Sequence, residues 1–331
     1  MLKRLFTVRN LIILLAIVAL FVVSGLLGLK VPAPVVSLAA EPVFHLGGFT
    51  ITNGLLTTWL VMIALIILAL LATRRIPRDL STASNADLVP SGLQNVFEMV
   101  VEAIGNLTRS VAGNWTPKFF PIVATIFLLV LLSNYSGLLP GVGSIGLLEH
   151  PHTEGEAGFV ANGAILTAEE AHEGEEGFIV VPFFRAPSAD LNFTLALAIV
   201  TVVLTQYFGI KSQGGAYFKK FFDVSGFKQG ALMGIIGLFV GVLELIGEIS
   251  RLLSFSFRLF GNIFAGEVLL MVIGFLIPYI ASLPFYGLEL FVGFIQAAVF
   301  MMLAVVFMSM ATQGHGGESH APAHGAPAGQ H

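Results

Sequence analysis

The chain has 331 residues, 56% of them hydrophobic and only 11% charged, with no cysteine and a formal net charge of −4. A mean hydropathy of +0.90 describes a polytopic membrane protein. Disulfides, thiolate metal sites and cysteine nucleophiles are excluded, and there is no basic patch for nucleic acid.

Residues 1–10 carry Lys3, Arg4 and Arg9, and residues 11–29 form an apolar run of near-spanning length. The run reads as a signal anchor or as a cleaved signal peptide, with Ser37-Leu38-Ala39 as a small-residue cleavage pattern. Its length favours a retained helix. Residues 30–52, with several Pro and Gly, read as a connector. Residues 55–72 predict a second span ending in Arg74, Arg75 and Arg78, a cytoplasmic flag.

Over residues 91–109, Leu93, Val96, Phe97, Val100, Val101, Ile104 and Leu107 keep a helical period, with Gln94, Asn95, Glu98, Glu102, Asn106 and Arg109 opposite. This predicts an amphipathic helix at the membrane surface or against a partner. Residues 119–139 predict a third span, closing around Asn134. Residues 141–187 then turn soluble, with no Lys or Arg between Lys118 and Arg185 and a run of glutamates. A loop without positive charge belongs outside. His150, His152 and His172 lie in it without metal-site spacing, so it reads as a solvated acidic loop. Residues 191–210 predict the fourth span, introduced by Pro187-Ser188-Ala189-Asp190-Leu191-Asn192. Asp190 reads as a helix N-cap or as a polar-pathway residue. Lys211, Lys219, Lys220 and Lys228 follow, a cytoplasmic signature.

Residues 230–280 are apolar enough for a bilayer yet hold Glu244, Glu248, Arg251, Arg258 and Glu267. A charge at mid-membrane costs about 2.5–3.5 kcal/mol on insertion scales. On one helix, Glu244, Glu248, Arg251, Phe255, Arg258, Asn262 and Gly266 fall in a single stripe, and Glu267 points away from it. Such a rod would be about 70 Å long against a core of about 30 Å, so it must form a hairpin or tilt strongly. Pro278 and Pro284 bracket a predicted tight turn. Residues 285–311 predict the last helix, with Glu289 and Gln296 on one face. The tail, rich in Gly, Ala, Pro and His, reads as disordered.

Glu248 and Arg251, i and i+3, read as a structural pair. Arg258 has Ser254, Phe255, Gly261 and Asn262 at the i±3 and i±4 places, so no carboxylate of its own helix can pair with it. Its guanidinium stays charged under any plausible burial. The counter-charge must come from another helix, such as Glu289, or from another protein.

Arg258-Leu259-Phe260-Gly261-Asn262-Ile263-Phe264-Ala265-Gly266-Glu267 resembles the signature of subunit a of F-type ATP synthase. The resemblance extends to residues 90–95, 134–140 and 187–192, to Glu244, and to the closing run from Ile295 to Met302. It covers most of residues 55–312. The extra N-terminal apolar segment and the long acidic outer loop depart from the usual pattern, and some members of the family have His where Glu289 stands.

The resemblance implies an all-α polytopic membrane protein with about four steep transmembrane helices, one amphipathic interfacial helix and two long, strongly tilted helices carrying Arg258 and Gln296. An N-terminal extension (1–53) precedes a membrane domain (54–312) containing the outer loop (141–187), and a cytoplasmic tail (313–331) follows. The implied role is that of a proton-channel stator in a bacterial inner membrane, without a catalytic site, metal or cofactor. Its implied partners are the subunit c ring, the subunit b peripheral stalk, other synthase subunits, protons and lipid. Arg258 would lower the pKa of each rotor carboxylate and separate two aqueous half-channels. Glu267 and Glu289 are candidates for the outer one, and Glu244 and Ser254 for the inner one. Asn262 and Gln296 would hold the Arg258 head, and Asn134, Asp190 and Asn192 complete the expected polar pathway. The competing reading is a secondary ion-coupled transporter with a charged midplane site, which predicts repeat symmetry and a broken mid-membrane helix. An intramembrane enzyme lacks a recognisable nucleophile–base or metal pair.

Overall fold

In the computed structural model, the described residues are 37–74, 92–150, 159–162, 165–170, 177–221, 230–276 and 282–313. The expectations for the apolar run at 11–29, for Arg75, Arg78, His152, His172, Lys228 and Pro278, and for the tail beyond Gln313 fall outside these residues.

Six long helices dominate: α1 (Asn53–Thr73), α2 (Leu93–Ala112), α3 (Thr116–Ser136), α4 (Leu191–Gln213), α5 (Ala231–Leu276) and α6 (Ser282–Thr312). Among the described residues, five helical stretches are long and apolar enough to cross a membrane, α2 and α3 being joined into one of them. The chain is a mostly helical, multi-pass membrane protein. Local signals set several ends. Thr52 caps α1 by accepting from the Leu55 N–H, and Asp190 caps α4 by accepting from the Asn192 N–H at 2.9 Å.

The connector and the outer loop carry short strands. The connector holds a hairpin of β1 (Pro42–Leu46) and β2 (Phe49–Thr52). The loop pairs β3 (Gly146–Glu149) with β6 (Ile179–Pro182), and β4 (Phe159–Asn162) with β5 (Ile165–Glu170), all antiparallel. These strands are four to six residues long, too short for alternation to stand out from glycine-rich sequence. One expectation needs correction at α6, which starts at Ser282 and so takes Pro284 into its first turn rather than leaving it in the turn before the helix. A first-turn proline removes an N–H that has no intrahelical partner anyway.

α5 is one continuous helix of 46 residues, so the long rod does not fold into a hairpin. The core lies where α3, α4, α5 and α6 meet. α6 presents Ala297, Met301, Ala304, Val305 and Met308 as a fully buried stripe. In lipid, helices gain little from hydrophobic transfer and associate by close packing, which small residues at the contact allow. Phe255 of α5 meets Phe300 of α6 edge-to-face at 4.7 Å, and Phe119 of α3 meets Phe208 of α4 at 4.9 Å. The amphipathic α2 buries Ile104, Thr108 and Ala112 but leaves Val96, Met99, Val101 and Leu107 exposed. Its apolar face is thus only partly covered by the rest of the chain.

Candidate functional site

The polar stripe of α5 separates into two sides once its neighbours are in place. Glu248, Phe255 and Gly266 are buried together with Leu259 and Ile263. Ser254, Arg258 and Asn262, each one turn from the next, are exposed. Residues four apart advance about 40° around a helix, so they share one flank of the buried face. Arg258 stands about five turns from Leu276, well inside the helix. Beside it, a small cleft between α5 and α6 is lined by Phe255, Arg258, Leu259, Gln296, Val299 and Phe300. Among the described residues Arg258 has no ion pair. Glu289, the expected intramolecular candidate, lies instead against Gly266, about two turns further along α5.

Glu267 follows Arg258 by nine residues, which is about 13.5 Å along the axis and half a turn around it. It therefore projects from the opposite flank. There it forms a salt bridge with Arg185 at 3.3 Å. Glu289 of α6 is buried, and its carboxylate occupies the space into which a Cβ at Gly266 would project. Nearby on α6, the Gly293 and Leu290 carbonyls accept from Asn134 Nδ2 at 2.8 Å and Tyr135 Oη at 3.1 Å. Among the described residues, three buried side-chain atoms in this part of the fold lack a hydrogen-bond partner: Ser133 Oγ, Asn134 Oδ1 and Ser188 Oγ. Buried groups of this kind are normally satisfied by water. Asp190 is buried with its carboxylate 3.1 Å from where a Cβ on Gly54 would stand. Its capping bond to Asn192 agrees with the helix N-cap reading, whereas the Asn192 side chain is exposed and stands apart from the buried groups.

At the other end of α5, Glu248 and Arg251 form the expected pair at 2.9 Å. Sequence reasoning did not place Lys220 there. It bonds Glu244 at 2.6 Å and Glu248 at 3.0 Å, having been read only as a topology marker. Arg251 also lies over the Phe307 ring, 4.6 Å from its centre. Arg185 was likewise missed. It marked only the end of a stretch without positive charge, and its partners are too distant in sequence for any local spacing to reveal. The described residues contain no group of three or more potential metal ligands.

The ATP synthase A chain family covers residues 55–309. The chain belongs to this family.

Relatives named ATP synthase subunit a agree. One from Citrifermentans bemidjiense is 32% identical over 256 residues, 77% of this chain and 86% of the relative. One from Syntrophobacter fumaroxidans is 31% identical over 288 residues, 87% and 93%. One from Campylobacter jejuni subsp. doylei is 34% identical over 258 residues, 76% and 87%. As an F-type subunit a, the chain is a non-catalytic membrane component of ATP synthase and takes part in proton transport.

Proposed function

We propose that this subunit a is the proton-translocating stator, offering two aqueous half-channels to a ring of subunit c, with Arg258 between them. The observation that carries the reading is Arg258 itself: inside a membrane-length helix, exposed on one flank and without an ion pair among the described residues. A charge left open in lipid needs a countercharge from outside the chain, and a rotor carboxylate is one of the right sign. Facing the guanidinium, such a carboxyl ionises more readily and gives up its proton. The same fixed charge repels a proton passing directly between the half-channels. On this reading Gln296, which lines the same cleft as Arg258, and Asn262, one turn on along α5, hold the guanidinium by hydrogen bonds.

Glu267 and Glu289 carry protons on the outer side, where the unpartnered Ser133, Asn134 and Ser188 atoms support a wet path. Glu244 and Ser254 belong to the inner side, with Glu244 held by Lys220. The continuity of α5 speaks against a transporter built on a broken helix. In the cell, the subunit sits in the bacterial inner membrane with the strand-bearing loop outside and its tail inside, beside the subunit b stalk. The membrane domain is residues 54–312, between an N-terminal extension and the tail. Replacement of Arg258 by Ala tests the role: coupled proton pumping disappears while the complex still assembles.

A further inference from the structure

Arg185 precedes the short turn of helix Pro187–Ala189 and is 6% exposed. Its guanidinium is committed to three places. Nη1 donates to the Ala39 carbonyl at 2.9 Å, and Nη2 to the Ser37 carbonyl at 2.8 Å. Nε and Nη2 both donate to Oε2 of Glu267 at 3.3 Å. The Arg185 backbone N–H donates to Thr57 Oγ1 at 3.1 Å, which fixes the base of the side chain on α1. The guanidinium also lies 5.8 Å from the Phe264 ring centre, one turn before Glu267 on α5.

We propose that Arg185 is a positioning residue for proton entry on the outer side: it holds Glu267 by Oε2 and leaves Oε1 to take and give the proton. This rests on the reading that Glu267 lines the outer pathway. Guanidinium does not titrate in proteins, and its planar fork is satisfied here by two backbone carbonyls that do not titrate either. The cation is therefore constant in charge and in place. An adjacent fixed cation favours the ionised form of a carboxylate, so Arg185 both orients Glu267 and opposes its neutralisation.

The ionisable groups on the neighbouring elements include Glu289 and Tyr286 of α6, Asp190 at the start of α4, Tyr135 of α3 and Glu41 of the connector. α1 contributes none. Among the described residues, the charged group that Glu267 contacts is Arg185. Arg185 is therefore the charge whose loss Glu267 registers.

The test is proton-driven ATP synthesis by the complete complex in proteoliposomes, followed against outer-side pH at constant membrane potential. In Arg185→Gln the pH of half-maximal synthesis should move upward by about one unit or more, since an acid that loses its cation protonates at higher pH. Arg185→Lys should move it less, because charge is kept and the fork is lost. Arg185→Gln/Glu267→Gln should match Glu267→Gln alone. A uniformly lower rate with an unmoved midpoint, in Arg185→Gln or, if that fails to assemble, in Arg185→Lys, overturns the proposal. A shift persisting without Glu267 does so too. If Glu267→Gln itself leaves rate and midpoint unchanged, the outer-pathway reading fails instead.

Discussion

Glu289 of α6 lies against Gly266 of α5, its carboxylate filling the space in which a side chain at position 266 would begin. The next residue, Glu267, is held by Arg185 on the flank opposite Arg258. A missing side chain on one helix thus makes room for a buried acid on the next. Because the atoms displaced by a methyl here are the far end of a flexible side chain, Gly266→Ala should push the carboxylate aside rather than prevent folding, at about 1–3 kcal/mol of repacking cost. Proton flux should fall while the subunit still enters the complex. Adding Glu289→Asp, which shortens the acid, should recover part of the flux. Flux equal to the wild type in Gly266→Ala would show that the position of the carboxylate does not matter.

Asn134 joins α3 to α6 through the Gly293 carbonyl at 2.8 Å, and Gly293 lets the helices approach until a Cβ there would stand 3.2 Å from Asn134 Cβ. Asn134→Leu should leave that carbonyl without its bond and cost about 1–3 kcal/mol. Thermal denaturation of the detergent-solubilised complex should show subunit a leaving at lower temperature. An unchanged profile would mean that water replaces the amide fully.

Lys220 bridges Glu244 and Glu248, and Glu248 keeps a second cation in Arg251. Removing the shared cation from this half-buried network leaves two acids side by side, whereas neutralising one acid leaves the other still paired. Lys220→Met should therefore lower the yield of assembled complex more than Glu244→Gln. The double variant should lose less than the two losses added, because the two residues share one interaction. Additive losses would place the two groups in separate roles.

Much of this architecture can be read from hydropathy alone, because lipid forces backbone bonds to close within each segment and so makes spans long and apolar. Arg258 is legible for another reason. Testing four neighbouring positions for a carboxylate is a local operation. The burial of its stripe is only half legible: Glu248, Phe255 and Gly266 turn inward while Arg258 and Asn262 stay exposed, since contacts from α4 and α6 decide where the buried face ends. Arg185 could not be assigned, because its partners at Ser37, Ala39, Thr57 and Glu267 are separated from it by 148, 146, 128 and 82 residues. Lys220 was hidden similarly, its obvious topological meaning masking its contacts 28 residues on at Glu248. The strand pairs of the outer loop leave too short a pattern to register against the glutamates around them.

The central claim concerns one side chain, and ATP-driven proton pumping in inverted membrane vesicles tests it most directly. With Arg258→Ala, the account predicts that acidification of the vesicle interior is lost while immunoblots show subunit a at normal levels in an intact complex. Pumping by the Arg258→Ala complex, coupled to ATP hydrolysis as in the wild type, would contradict it.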